Sequence, residues 1–187
     1  MDSYIELQLL PDPEFPANML MNALFAKLHR GLVSSGEGRV GISFPDVGQK
    51  GVGLGVRLRL HGTAADLEHL MSANWLLGMR DHLSCSPVSP VPVHAAYRVV
   101  RRVQAKSSPE RERRRLVARK GISAEAAMQA IPDNTAETLC LPYLLLASQS
   151  TQQQFRLFVE HLPVQKEAAN GRFSAYGLSS TGTVPWF

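Results

Sequence analysis

Val56-Arg57-Leu58-Arg59-Leu60-His61-Gly62-Thr63-Ala64-Ala65-Asp66-Leu67-Glu68-His69-Leu70-Met71 changes its apolar period half way along. In the first half Val56, Leu58 and Leu60 alternate with Arg57, Arg59 and His61, which predicts a strand with a basic outer face. In the second, Thr63 with Asp66 forms a capping box, and Leu67, Leu70 and Met71 fall on one helical face. Upstream, Tyr4 to Leu10 alternates as a half-buried strand, with Ile5, Leu7 and Leu9 on one side. Pro11, Pro13 and Pro16 interrupt it, and Pro16 opens a helix to about Ser34. Leu20, Leu24, Leu28 and Leu32 recur there every fourth residue, widened by Met21, Ala23 and Phe25. Gly36 and Gly38 end it, and Arg39 to Phe44 reads as a short strand. Asp46 to Gly53 reads as a plain Gly-rich hairpin loop, since no helix follows to cradle a phosphate. Trp75 to Leu83 continues in helical register, and a strand is expected around Ser84 to Val88. Strand, helix, strand, strand, helix, strand is the order of a ferredoxin-like split βαβ unit, in an α+β chain. That order alone does not fix a function.

Pro87, Pro90 and Pro92 make Ser86 to Val93 the expected linker, dividing a domain at 1–94 from a second α+β domain at 95–187. After it, Tyr97 to Lys106 looks extended. Ser108-Pro109-Glu110-Arg111-Glu112-Arg113-Arg114-Arg115-Leu116-Val117-Ala118-Arg119-Lys120-Gly121 then reads as a helix over 109–120 with both ends marked. Ser108 suits the cap and Pro109 the first turn. Acids stand at the start, bases at the end, and Gly121 can turn left-handed. Such a helix has almost no apolar face, so it either bridges solvent or waits for a partner. Between Arg98 and Lys120 ten basic residues meet two acids, a net of +8 in a chain of net +4. The concentrated charge calls for a polyanion. Ser123 caps a short helix, Ala124 to Ala130, stopped by Pro132. Tyr143–Ala147 and Phe155–His161 form a hairpin with a polar tip, and Phe173 to Leu178 reads as one more strand.

With 44% hydrophobic and 19% charged residues in 187, the composition is that of an ordinary globular protein. Cys85 and Cys140 give neither a disulfide framework nor a four-ligand zinc site, and are expected as reduced core thiols. The stretch MDSYIELQLLPDPEF lacks the apolar run of a signal peptide, and no run is long enough to cross a membrane, so a cytoplasmic protein is expected. No Walker loop, GxGxxG before a helix or HExxH occurs, and no convincing set of metal ligands. No cofactor is expected. Six histidines could do acid–base work: His29, His61, His69, His82, His94 and His161. Spacing does not choose among them. His29 alone has a local argument, lying near the C-terminal part of its helix, where the dipole favours the protonated ring.

Four long, irregular segments carry a resemblance that covers the chain end to end: LLPDPEFPANMLMNALFAKLHRGL, RVQAKSSPERERRRL, SQSTQQQFRLF and YGLSSTGTVPWF. They resemble the CRISPR repeat-processing endoribonucleases of type I-F systems. The resemblance implies a ferredoxin-like N-terminal domain and a C-terminal domain carrying the arginine helix. It implies metal-independent cleavage of precursor crRNA at the base of a repeat stem-loop, leaving a 2′,3′-cyclic phosphate, and retention of the product within a surveillance complex of further subunits. Carried over residue by residue, it makes His29 the proton-transfer residue, Ser148 the holder of the attacking 2′-OH, and Tyr176 the residue that positions the imidazole. Arg102 and Gln104 then read bases low in the stem, and Phe155 stacks on its terminal base pair. Arg111, Arg114, Arg115 and Arg119 grip the stem, with Gln149 and Ser150 also on the RNA. Ala118 stands where the family often has an arginine, and Glu112 where an apolar residue is usual. On residue physics alone the plainer readings prevail, with Phe155 as core, Tyr176 as a sheet residue, and Ser148 and Ser150 as turn-formers; the resemblance reverses that. The alternative function is a non-catalytic RNA-hairpin-binding subunit.

Overall fold

A computed structural model describes residues 1–35, 38–49, 53–104, 109–132, 139–148 and 153–187. Two units divide the chain, one made of Met1–Val103 with Leu141–Phe187, the other of Gln104–Cys140. Two antiparallel sheets and, among the described residues, four α-helices make this an α+β protein.

In the larger unit the first sheet is built from β1 (Ser3–Leu9), β2 (Gly41–Ser43), β3 (Arg57–Gly62) and β4 (Leu83–Cys85), in the order β2-β3-β1-β4. The expected linker also contributes: β5 (Ser89–Pro90) pairs with the start of β1. Helix α1 (Ala17–Ser35) connects β1 to β2, and α2 (Ala64–Ser72) connects β3 to β4. Register sets Ile5 opposite Leu60 and Leu7 opposite Leu58, so one face is aliphatic throughout. Leu24, Phe25, Leu28, Leu67 and Leu70 are fully buried in the same core. Each such side chain contributes about 1.5–3 kcal/mol of burial free energy, which is what holds α1 in place.

The other face of that sheet overturns one expectation. Arg59 and His61, expected on a solvated basic face, are 4% and 0% exposed. Phe187 lies over Arg59, and Phe173 and Val184 lie against Gly41, the register partner of His61. Arg59 donates to Glu6 Oε2 at 2.7 Å and to the Phe187 carbonyl, and its guanidinium sits 3.9 Å from the Phe187 ring centre. A Cβ at Gly41 would meet Val184 and Phe173 side chains at 2.6 and 2.7 Å, so only glycine lets this cover close. Both faces of the sheet are therefore buried, and the arginine is kept there by its ion pair with Glu6 and by the rings of Tyr4 and Phe187.

The second sheet has the order β7-β8-β6-β9, from β6 (Ala96–Val103), β7 (Tyr143–Ala147), β8 (Gln154–His161) and β9 (Thr183–Trp186). Three further expectations are corrected. Helix α2 stops at Ser72 instead of running on to Leu83, because Asn74 (φ 50°) and Gly78 (φ 75°) turn left-handed. Only a 3₁₀ turn, Arg80–His82, remains. Phe173–Leu178 is a turn, with Ser174 N–H donating to Leu178 O and Gly177 (φ 68°) at its bend. Cys85 and Cys140, expected in the core, are free and exposed.

In the smaller unit α3 (Pro109–Lys120) carries the arginines and α4 (Ala124–Ala130) packs against it. Ser123 caps α4, accepting from Ala126 N–H at 3.2 Å. Gly121 ends α3 at φ 63°, as its position predicts. Ser108, the expected cap of α3, lies outside the described residues. No helix among the described residues is long and apolar enough to cross a membrane.

Candidate active site

Helix α1 sets His29 one turn beyond Phe25, so the buried stripe that anchors the helix also fixes where the imidazole stands. The ring is half-buried, and it stacks on Tyr176 with centroids 4.2 Å apart and planes 10° from parallel. Tyr176 lies parallel to Phe25 as well, at 6.4 Å, which makes one column of three rings. His29 Nδ1 lies 2.8 Å from the Ala175 carbonyl oxygen. A carbonyl can only accept, so Nδ1 carries the hydrogen and Nε2 keeps the lone pair in the neutral ring. The tautomer is thus fixed by the backbone next to Tyr176.

That backbone is itself held. Ser174 N–H donates to Leu178 O and Gly177 N–H to Ser174 O, both at 2.8 Å, closing the turn on which Ala175 and Tyr176 ride. Ile42 N–H donates to Gly177 O at 3.0 Å, pinning the turn to β2. Opposite it, β7 runs beside α1, and Leu145 N–H donates to Asn22 Oδ1 at 3.0 Å. Ser148 follows the last residue of β7, its N–H bonded to Gln153 O across the hairpin. His29, Arg30, Ser34, Ser148, Phe155 and Tyr176 all line one cleft of about 410 Å³. Four residues named from the sequence thus meet in one place.

Arg102 completes this side of the unit. Its register partner on β8 is Val159, which places it on the same face as Phe155 and Leu157. Its guanidinium lies 5.9 Å from the Phe155 ring centre and 5.4 Å from that of Tyr176. An exposed arginine between two aromatic rings can stack and donate in a plane, the geometry suited to a base edge.

In the smaller unit Gln104 is its exposed first residue, and Arg111, Arg114, Arg115 and Arg119 are exposed along α3. Arg115, Ala118 and Arg119 line one hollow with Leu116 and Ile131, so position 118 shares the arginine side of the helix. Arg114 meets Glu110 at 3.0 Å one turn back, but both are more than three-quarters exposed, and the pair stabilises little. Gln149 and Ser150 lie outside the described residues.

The remaining histidines sort by environment. His61 is fully buried, with Nε2 2.8 Å from Ser43 Oγ, and burial followed by the Arg59 charge pushes it down to about 3. His161 accepts from Phe44 N–H at 3.4 Å; burial, then Arg98, pushes it also to about 3. His82 pairs with Asp12 at 2.9 Å. Two contributors escaped the sequence reading. The Ala175 carbonyl has no side-chain signature at all, and Asn22 is legible only once β7 is known to lie beside α1. Among the described residues no group of three or more His, Cys, Asp or Glu is arranged to hold a metal ion.

The chain matches the family described as CRISPR-associated protein (Cas_Csy4) over residues 4–187. It is 52% identical over 187 residues to the "CRISPR-associated endonuclease Cas6/Csy4" of Pseudomonas aeruginosa (strain UCBPP-PA14), covering all of both chains. To the protein of the same description from Escherichia coli (strain UTI89 / UPEC) it is 49% identical, again over the full length of both.

Proposed function

The chain belongs to the Cas_Csy4 family, and we propose that it is a metal-independent endoribonuclease that cuts CRISPR repeat RNA at the 3′ base of its stem-loop. The resemblance read from the four sequence segments is borne out at family level. The observation that carries the reading is the cleft in which a tautomer-fixed His29, Ser148, Tyr176 and Phe155 converge.

In the reaction the ribose 2′-OH loses its proton and its oxygen attacks the adjacent phosphorus. The bond to the 5′-oxygen breaks, a 2′,3′-cyclic phosphate forms, and the leaving oxygen takes up a proton to become a 5′-OH. His29 supplies the proton traffic through Nε2, as base when neutral or as acid when charged. Nδ1 cannot serve, because it is committed to Ala175 O. Ser148 holds the 2′-OH for in-line attack. Tyr176 fixes the ring plane by stacking. Phe155 caps the end of the stem, and Arg102 with Gln104 reads the base pairs above it. Arg111, Arg114, Arg115 and Arg119 grip the stem, joined by Gln149 and Ser150. The strand order β2-β3-β1-β4, with a helix after β1 and another after β3, supports a ferredoxin-like domain over 1–94, leaving 95–187 as the RNA-binding domain. The product stays bound, and the protein works in the cytoplasm with the other subunits of a type I-F surveillance complex.

The test is a labelled RNA carrying the repeat hairpin of the host's own CRISPR array, incubated with the protein in EDTA. Cleavage to a cyclic-phosphate end is expected, along with full binding and no cleavage when the cut-site ribose is 2′-deoxy. Cleavage of the deoxy substrate would make water the nucleophile and overturn the mechanism. Binding without cleavage of any hairpin would establish the non-catalytic alternative.

A further inference from the structure

A second basic depression borders the cleft. Val33 lines both, and the turn that carries Tyr176 into the cleft presents Ser174 and Ala175 to the depression. The depression, about 310 Å³, is lined by Arg39, Asp66, His69 and Arg172. A further hollow of about 620 Å³ continues it, sharing Gly38, Arg39, Asp66, Arg172 and Phe173 and ending on Tyr97 and Asn170. The two together form a groove that starts at the wall of the cleft.

Its cations are placed by backbone. Phe173 N–H donates to Gly38 O at 3.0 Å, tying the segment that carries Arg172 to the one that carries Arg39. Gly38 sits at φ 61°, where an added Cβ would lie 2.7 Å from Phe173 O, so the approach depends on that glycine. Arg172 is exposed. The Arg39 side chain is 63% exposed and stands 3.5 Å from Asp66, whose other carboxylate oxygen takes the Thr63 hydroxyl at 2.6 Å. The single acid is thus partly spent on the cap of α2, and two arginines dominate the groove. Arginines with a tyrosine along a groove match the chemistry of single-stranded nucleic acid, which needs cations for phosphates and an aromatic face for a base.

We propose that this groove holds the single-stranded RNA on the 3′ side of the cut, with Arg172 and Arg39 on its phosphates and Tyr97 under a base. The proposal rests on the endoribonuclease reading. An endonuclease cuts within a chain, and in that reading Arg102 and Phe155 take the stem, while one turn presents Tyr176 to the cleft and Ser174 and Ala175 to the groove. The strand that leaves with the 5′-OH needs a path out of the cleft, and the groove adjoins the cleft at Val33 and at the turn that carries Tyr176. Holding it aligns the leaving oxygen before cleavage and is released with the downstream strand after it.

The experiment compares three cleavage-resistant 2′-deoxy hairpins with 0, 2 and 8 nucleotides beyond the cut, for the wild type, Arg172→Ala and Arg39→Ala. For the wild type, the longest flank is expected to tighten binding roughly 3- to 10-fold, with a log–log salt slope steeper by about 0.7 for each phosphate held. Arg172→Ala is expected to lose that gain while binding the flankless hairpin as the wild type does, which also shows that it is folded. Arg39→Ala is expected to lose part of it. Flank-independent affinity in the wild type, or equal weakening of all three RNAs by Arg172→Ala, would overturn the groove assignment alone. Failure of the wild type to cut the all-ribose hairpin would overturn it together with the endoribonuclease reading.

Discussion

His29 and His61 make an instructive pair. Each is a histidine with a fixed ring, and His61 even has a serine oxygen at 2.8 Å, the arrangement usually searched for as a nucleophile and its base. Yet His61 is fully buried between the first sheet and the chain that covers it, and burial holds it neutral down to about 3. His29 is half-buried, its Nδ1 satisfied by a carbonyl and its other nitrogen free of that bond, on the wall of a cleft. A polar pair alone does not make a site. The role proposed for His29 needs access for one ring nitrogen and commitment of the other.

Removing His29 and titrating His61 sharpen that contrast. His29→Ala is expected to slow cleavage by roughly 10²–10⁴-fold with RNA affinity retained, measured by single-turnover cleavage beside equilibrium binding. Comparable cleavage by the variant would place proton transfer elsewhere. Acid is expected to act on the other region. His61 and His161 bind a proton near 6.5 when unfolded but only near 3 when folded, so the unfolded state holds more protons across that window. Stability is therefore fully present above 6.5 and is lost as pH falls toward 3, by up to about 1.4 kcal/mol per pH unit for each ring. Denaturant midpoints at pH 7 and pH 5 check this; equal midpoints would mean that the interior does not hold the rings neutral.

Smaller effects probe the RNA side. Arg102→Ala is expected to cost about 1–3 kcal/mol in binding, concentrated at one base pair of the stem. Uniform weakening across hairpin sequences would make Arg102 a phosphate contact. Arg115→Ala and Arg119→Ala should each flatten the salt dependence of binding by roughly 0.7–0.9 in log–log slope. Ala118→Arg, in the same hollow, should steepen it by a similar amount. An unchanged slope in all three would remove α3 from the phosphate grip.

The periodic parts of the chain were legible. Alternation found β1 and β3, and the four-residue leucine spacing found α1, because burial on one face leaves that record in sequence. The same rule misled at Trp75, Leu76, Met79 and Leu83. All four are buried, but the backbone reaches the core through left-handed turns at Asn74 and Gly78 instead of a helix. Arg57, Arg59 and His61 misled in the opposite sense: polar alternation signalled solvent, whereas an ion pair, aromatic rings and a hydroxyl receive two of them in the interior. Within the cleft, side-chain identities could be carried over from a resemblance. The Ala175 carbonyl and the Asn22 amide could not, since one belongs to every residue and the other gains meaning only from the strand beside it.

A main-chain carbonyl as the anchor of His29 has a bearing on how this protein tolerates change. Almost any side chain at position 175 leaves that oxygen in place, so the residue that touches the imidazole is open to drift. The fragile position is two residues on. Gly177 needs φ 68°, and a Cβ there would stand 2.6 Å from Ile42 Cγ2, forcing the turn off β2 and taking Ala175 and Tyr176 with it. Mutational sensitivity is displaced from the residue that touches the imidazole to a glycine that does not line the cleft, and a scan of this turn is expected to find that glycine the more sensitive of the two.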